Sequence, residues 1–516
     1  VLRFNLDGLQ CHVDGPLEER RVLYEKLSIF DPGAKFKPEY RFGAWQGWVR
    51  LYDEVEQVFL SGMYQYAKRV LGESGVEVEV LGERLPAHVL PDGFEVPVDL
   101  FPGRPLWGHQ RSAIQKALYH RGGVIKIPTA GGKTMVAAGM LKILDKPSVF
   151  CIHQVNLLRQ TAQEFIELGL GGVGMIGDSD WDPNFFTVAT IQTLNALLRR
   201  GEPRATEFLR SREVMVFDET HHLSAKSWQR VVWAADAPYR YGLSGTPFKE
   251  VGLKRFEDFL LLGLCGPVCY SVSSAYLISQ GLIARPTIYM VYIGGPEVKG
   301  SAQQWAKLYR SAIVEHEARN RRALYYITKF SQLGQRVLVL VKEIRHGVSL
   351  LDELQRRGVE AAFLKGGDQV FHQARGEHFD GHLNAEEVLL GQGAQVRLEQ
   401  DTIVDFQSKT LTDFKEGRIQ TLIGSTVLDE GVDVPQVEVL INLSAGKSLQ
   451  KTLQRLGRSL RRKPGDNRVC VLDFYDRQHG LMRSHSVQRK RQYAQEGHEV
   501  LAETELDQLI ERLERA

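Results

Sequence analysis

A glycine-rich turn set between a strand and a helix leaves few folds open. This chain carries one at Ile127-Pro128-Thr129-Ala130-Gly131-Gly132-Lys133-Thr134. The apolar run at 123–127 reads as the strand and the run at 135–141 as the helix. Such a turn aims successive backbone N–H groups and the positive end of a helix at one point, which suits a polyphosphate. Thr129, Ala130, Gly131 and Gly132 would form the cradle. Lys133 would reach the β- and γ-phosphates, and the Thr134 hydroxyl would ligate Mg²⁺. Ile127 stands where a leading glycine would complete the full phosphate-loop pattern.

The alternation of strand and helix continues on both sides of this turn. Apolar runs at 123–127, 148–152, 186–190 and 214–217 each meet a polar or glycine turn and then a helical stretch. That pattern predicts a parallel sheet covered by helices, with ligands beyond the carboxyl ends of its strands. A second unit has strands expected at 336–341, 361–364, 420–423, 438–443 and 468–472, with no second Lys-Thr loop. One phosphate loop and two sheets suggest ATP held between two lobes. A chain of 516 residues is too long for one core. The expected fold class is α/β, divided into an α+β module at 1–96, a lobe at 97–270, a lobe at 271–480 and a helical tail at 481–516. In the module, strands are expected at 1–9, 47–52, 55–60 and 75–81, and helices at 17–29 and 61–71. A polar segment at 366–407 is too long for an ordinary connection and reads as a disordered insertion or as an arm with a hairpin near 387–398.

Val214-Met215-Val216-Phe217-Asp218-Glu219-Thr220-His221 is the second chemical signal. Adjacent carboxylates repel unless a cation lies near, so a strand ending in Asp-Glu is costly as mere surface. Asp218 could hold Mg²⁺ through water, and Glu219 could orient or deprotonate an attacking water. A net charge of +2 gives no global field, so any nucleic-acid surface must come from local patches. No apolar run approaches the roughly 20 residues of a membrane span. Five scattered cysteines fit a reducing compartment, and a cytoplasmic location is expected.

Taken in order, the motifs between 103 and 476 resemble those of superfamily 2 helicases of the DExH type. The resemblance implies two RecA-like lobes that use ATP and Mg²⁺. Gln110, after Trp107-Gly108-His109, resembles the adenine-reading glutamine. His153, Gln154, Thr190 and Gln192 fall in motifs that contact a nucleic-acid strand, as do Lys342, Ser425 and Thr426 further on. His221, Ser244 and Thr246 fall in the motifs that couple hydrolysis to movement. Gly431 and Asp433 correspond to a ribose contact, and Gln454, Arg458 and Arg461 to the arginine-finger motif. On a helix those last three share one face, where arginine would stabilise charge developing on a phosphoryl group.

The run from Lys35 to Leu51 mixes cations with aromatics. Lys37, Arg41 and Arg50 could neutralise phosphates, and Trp45 could stack on an exposed base. The plainer alternative is that the aromatics are core. The run resembles the N-terminal module of UvsW-type phage recombination helicases, which implies an accessory DNA-binding role. The function implied is an ATP-dependent DNA helicase or translocase working on forks, junctions, displacement loops or R-loops. Expected partners are branched, duplex or single-stranded DNA and RNA–DNA hybrids, with a monomeric protein and no membrane. An RNA helicase, a motor subunit of a restriction or repair complex, and a non-hydrolysing clamp remain alternatives.

Overall fold

The structure is a computed structural model. It describes all residues except 82–89, 91–92, 121, 154, 249–252, 254, 365–369, 373–408, 426–436, 447–467, 496 and 516. Two units divide the chain: Val1–Pro128 with Gly132–Val272, and Ser273–Ala516 together with Thr129–Gly131.

Among the described residues, the first unit holds two large sheets and a two-stranded one. The N-terminal sheet runs Tyr52–Asp53, Val58–Leu60, Gln10–Asp14, Leu2–Asp7, Val78–Leu81. Leu2–Asp7 alternates buried and exposed along its length, as a strand with one wet face must. Helices Leu17–Lys26 and Tyr64–Gly72 lie in the same module, and a separate hairpin pairs Ser28–Phe30 with Trp48–Arg50. The helix expected at 17–29 therefore stops at Lys26, where the β-branched Ile29 joins that hairpin. The strand Gln10–Asp14 was not expected. Its polar-apolar alternation is short and follows the first strand after a two-residue turn at Gly8.

The module does not stand apart from the lobe behind it. Phe259 and Leu262 of the helix Phe256–Cys265 complete the module's own core with Leu2, Phe4 and Phe59. In return, Leu9 of the module is buried in the lobe's core. Gly62 packs against the backbone of Leu262 and Gly263 so closely that any side chain there would overlap it.

The larger sheet of this unit runs Asp180–Asp182, Val173–Gly177, Phe186–Thr190, Ser148–Ile152, Val214–Asp218, Tyr239–Ser244, Gly122–Lys126, Val268–Ser271. All pairings but the one to Asp180–Asp182 are parallel. Ser148–Ile152 and Phe186–Thr190 are buried at every residue, because helices cover both faces of a parallel sheet. The strands at Val173–Gly177, Tyr239–Ser244 and Val268–Ser271 were not expected. Glycine and serine interrupt their apolar runs, and neighbouring strands rather than sequence pattern hold them.

The second unit is built on one eight-stranded sheet. Its order is Val370–His372, Ala361–Leu364, Thr421–Gly424, Val337–Leu340, Val439–Asn442, Arg468–Asp476, Arg285–Ile293, Glu499–Ala502. All five expected strands are present. The chain beyond 481 is not a plain helical tail. The helix Gly480–Gln495 is followed by Gly497 at φ 77, and Glu499–Ala502 then pairs in parallel with Thr287–Met290 before the helix Glu503–Arg515. The exposed edge of Arg285–Ile293 offers unpaired backbone groups, and pairing satisfies them. The segment at 366–407 lies almost wholly outside the described residues, including its expected hairpin.

Candidate functional site

Five neighbouring strands of the first unit end in the residues that the sequence singled out. Gly122–Lys126 leads to the glycine-rich turn, Ser148–Ile152 to His153, Phe186–Thr190 to Gln192, Val214–Asp218 to Glu219, and Tyr239–Ser244 to Thr246. Because these strands are parallel, all five tips fall along the same carboxyl edge.

The turn takes the backbone that a cradle needs. Ala130 and Gly132 have φ of 65 and 81, and Gly132 precedes the helix Lys133–Leu144. A side chain on Gly132 would overlap the amide nitrogen of Gln110. Gln110 itself is buried and its Oε1 accepts from the Trp107 N–H at 2.9 Å, so it braces the turn from the first turn of the helix Gly108–His120.

The carboxylates lie at the tip of the next motif strand. Lys133 Nζ donates to Glu219 Oε1 at 2.8 Å. Glu219 has φ 48 and opens the short helix Thr220–Ser224. Its N–H donates to Asp218 Oδ1 at 3.0 Å. Thr220, fully buried, donates to the carbonyls of Phe217 and Leu243 and so ties two neighbouring strands together just behind the acids. His221 Nδ1 lies 3.4 Å from Glu219 Oε2 and 3.5 Å from Ser244 Oγ, and Ser244 Oγ accepts from the Thr246 N–H at 3.1 Å. A continuous polar chain therefore runs from Lys133 through Glu219 and His221 to Ser244 and Thr246.

Burial sets the protonation states. It pushes Asp218 up, with Lys133 opposing and Glu219 adding to the rise. Burial also pushes Glu219 up, but the Lys133 ammonium, first among the opposing charges, outweighs it and holds the carboxyl below its usual range. Burial lowers His221 to about 4 despite Glu219 beside it, so its ring is neutral near pH 7.

His153 sits on the opposite flank. Gln192 Nε2 donates to the His153 carbonyl at 2.5 Å and lies 3.0 Å from its Nδ1. Thr190 Oγ1 donates to Thr193 Oγ1 at 2.8 Å. His153 stacks on His222 with centroids 4.6 Å apart, and His222 stacks in turn on Trp228 at 5.8 Å. Sequence reasoning missed His222 and Trp228. Only the adjacency of His222 to the acidic motif could have signalled it, since Trp228 comes from a later helix.

In the N-terminal module the expected cations lie at the surface and each also holds an internal contact. Lys37 pairs with Asp31 at 2.8 Å and sits over Trp45. Arg41 donates to the Lys35 carbonyl, Trp45 to the Trp48 carbonyl, and Arg50 to Ser28 while lying 4.4 Å over Tyr24. The aromatics most open to solvent are instead Phe42, 85% exposed, and Phe36, 69% exposed. In the second unit Lys342 lies 4.5 Å over Tyr309, and Ser425 is buried. Gln154, Thr426, Gly431, Asp433, Gln454, Arg458 and Arg461 lie outside the described residues.

Comparison with known proteins meets this geometry. The family described as type III restriction enzyme, res subunit, matches residues 105–249, and the helicase conserved C-terminal domain matches residues 319–463. The chain is a superfamily 2 helicase. It is 23% identical over 445 residues to the DNA 3'-5' translocase XPB2 of Sulfurisphaera tokodaii, spanning 84% of this chain and 91% of that one. It is 20% identical over 483 residues to the ATP-dependent DNA helicase uvsW of Enterobacteria phage T4, spanning 89% of this chain and 88% of that one. Among solved structures, S. cerevisiae Dbp5 bound to RNA and ADP BeF3 shares the fold at a TM-score of 0.52 and 15% identity, over 80% of this chain and 94% of that one. The first match contains Lys133, Asp218, Glu219 and Ser244, and the second begins at Arg319 and ends at Lys463. Among the described residues, no helix of this helicase is long and apolar enough to cross a membrane.

Proposed function

We propose that this helicase hydrolyses ATP at the turn before Lys133 to drive movement along DNA, and that it remodels branched DNA such as forks, junctions, displacement loops or R-loops. The observation that carries the reading is the polar chain Lys133–Glu219–His221–Ser244, which joins the phosphate cradle to the turn at Thr246.

In this account the backbone N–H groups of the turn and the Lys133 ammonium bind the β- and γ-phosphates. Lys133 then exchanges its Glu219 partner for phosphate oxygen. That frees the Glu219 carboxylate to accept a proton from the attacking water. His221, neutral, positions Glu219 and passes any shift of that carboxylate to Ser244 without adding a charge. Thr134 and Asp218 would hold Mg²⁺. Both offer hard oxygen donors, and Asp218 is a buried carboxyl whose ionisation a cation would favour. When bound, the ion would neutralise charge on the phosphates. Gln454, Arg458 and Arg461 are proposed to supply further positive charge in the transition state, and Gly431 and Asp433 a ribose contact.

His153, Thr190 and Gln192 are proposed to touch the DNA backbone in the first unit, and Lys342, Ser425 and Thr426 in the second. Hydroxyl, amide and backbone donors position a strand without reading its bases, so sequence preference should be small. In the N-terminal module, Lys37, Arg41, Trp45 and Arg50 are proposed as accessory contacts, with Phe36 and Phe42 open to stack on unpaired bases. A monomer in the cytoplasm suffices for this chemistry. The uvsW relative and the XPB2 relative are both named for action on DNA, which supports DNA over RNA. The test is ATP hydrolysis and unwinding on a panel of fork, four-way junction, displacement-loop, RNA–DNA and RNA substrates. Turnover stimulated by RNA alone would assign an RNA helicase instead.

A further inference from the structure

The carboxyl ends of Arg285–Ile293 and Arg468–Asp476 carry a groove of about 710 Å³ that the proposed function leaves unused. The two strands pair in parallel so that Tyr292 stands beside Tyr475, ring centroids 5.0 Å apart. Arg477 lies over both rings, 4.6 Å from one centroid and 5.8 Å from the other. The helix Gly480–Gln495 forms the opposite wall. Its inner face buries Met482, Ser486, Arg489 and Tyr493 against the sheet, with Arg489 held to Asp473 at 2.8 Å. Arg483, Lys490 and Arg491 fall on the other face of the helix and line the groove.

No carboxylate among the described residues lines this groove. Among those residues, too, none of Arg477, Arg483, Lys490 and Arg491 makes an ion pair, although arginines elsewhere in the unit are paired, as Arg319 is to Asp476. Four unneutralised cations converging on one concave surface repel one another, and an anion is what would relieve that repulsion. Arg477 lies over both tyrosine rings, and the forked donors of its guanidinium suit phosphate oxygens. Arg477 also covers those rings, so they offer no open platform to a base.

We propose that this groove binds the phosphodiester backbone of a nucleic-acid segment, as a second contact surface of the unit, independent of sequence. The proposal rests on the nucleic-acid substrate argued under the proposed function. The surface is distinct from the expected strand contacts of this unit. Lys342 and Ser425 follow Val337–Leu340 and Thr421–Gly424, and Val439–Asn442 lies between those strands and the pair that carries the groove. A substrate with more than one arm could occupy both places, which a single unbranched strand need not do.

The test is a full-length variant with Arg477, Arg483, Lys490 and Arg491 all changed to Gln. All four are exposed, so melting temperature and circular dichroism should match the wild type. Binding to forked and to unbranched DNA is measured across a salt series, beside competition by inorganic tripolyphosphate. The groove predicts about tenfold or greater weakening on forked DNA. It also predicts a shallower log–log salt slope, by roughly 0.7–0.9 for each phosphate that is no longer neutralised. Basal hydrolysis of ATP stays unchanged. Equal affinity and slope in a folded variant overturn the proposal. So does a loss of tripolyphosphate binding with DNA binding intact, which assigns the groove to a free polyphosphate. A wild-type chain that binds no nucleic acid at all removes the proposed function itself, whereas a wild type that binds DNA only as well as the variant does removes only the groove.

Discussion

Single side chains carry the chemistry, and each makes a different prediction when changed. Lys133 is the partner of Glu219 and the proposed phosphate ligand, so Lys133→Ala should abolish hydrolysis and weaken nucleotide binding. Near-normal turnover in that variant, measured by phosphate release, would remove Lys133 from the site. Glu219→Gln keeps the shape and loses the proposed base. It should bind nucleotide normally while turnover drops by roughly 10²–10⁴. An affinity loss as large as that of Lys133→Ala would make Glu219 a structural residue instead. Gly242 lies where any Cβ would overlap the Thr220 side chain, and Thr220 ties the acidic strand to its neighbour. Gly242→Ala should therefore cost about 1–3 kcal/mol through overpacking and lower turnover as well. A variant as stable and as active as wild type would show that Thr220 moves freely.

At the scale of the element, the strand Arg468–Asp476 is held by two buried ion pairs, Arg319 to Asp476 at 2.9 Å and Arg489 to Asp473 at 2.8 Å. Arg489→Ala would leave Asp473 buried without a counter-charge, though Tyr493 still donates to it. The expected loss is about 3–5 kcal/mol, read from urea unfolding of the second unit. An unchanged midpoint would mean that water enters in place of the guanidinium. Neither pair was legible in the sequence, where 481–516 read only as a helical tail. What was legible follows from local rules. The fully buried strands at Ser148–Ile152, Phe186–Thr190 and Ala361–Leu364 stand where expected, because a buried parallel strand is built mostly of apolar residues. The edge strand Glu499–Ala502 was not legible, because its partner lies some two hundred residues earlier and only pairing defines it. The same holds at the site. Lys133, Asp218 and Glu219 announce themselves by motif, while Trp228 joins the histidine stack only through the fold.

For the molecule as a whole, the first consequence concerns the N-terminal module. Arg240, buried on the strand Tyr239–Ser244, donates to the carbonyls of Leu264, Ala237 and Gly8 and to Ser61 Oγ. Two of those acceptors belong to the module. Removing residues 1–97 would strip these partners and expose Phe259 and Leu262, so truncation should destabilise the first unit rather than leave a clean motor. Surface changes at Lys37, Arg41 and Arg50 are the better probe of DNA binding. The second consequence concerns pH. Burial lowers His346 to about 3 and His498 to about 4, and it lowers His316 as well. Unfolded, each would titrate near 6.5, so below that pH the unfolded chain binds more protons. Stability of the second unit should therefore fall as pH drops from about 6.5 toward 4, by up to about 1.4 kcal/mol per pH unit for each histidine. His346→Gln should flatten that slope in urea melts, and an unchanged slope would exclude His346 as a contributor.

In the proposed cycle, ATP hydrolysis at Lys133 and Glu219 is coupled to DNA. The most direct measurement is ATP turnover by wild type and Glu219→Gln, each with and without forked DNA, alongside displacement of a strand from that fork. DNA should raise wild-type turnover by about tenfold or more, strand displacement should require ATP, and Glu219→Gln should bind the fork while neither hydrolysing ATP nor displacing the strand. Wild-type turnover that ignores DNA, or strand displacement that persists in Glu219→Gln, would contradict it.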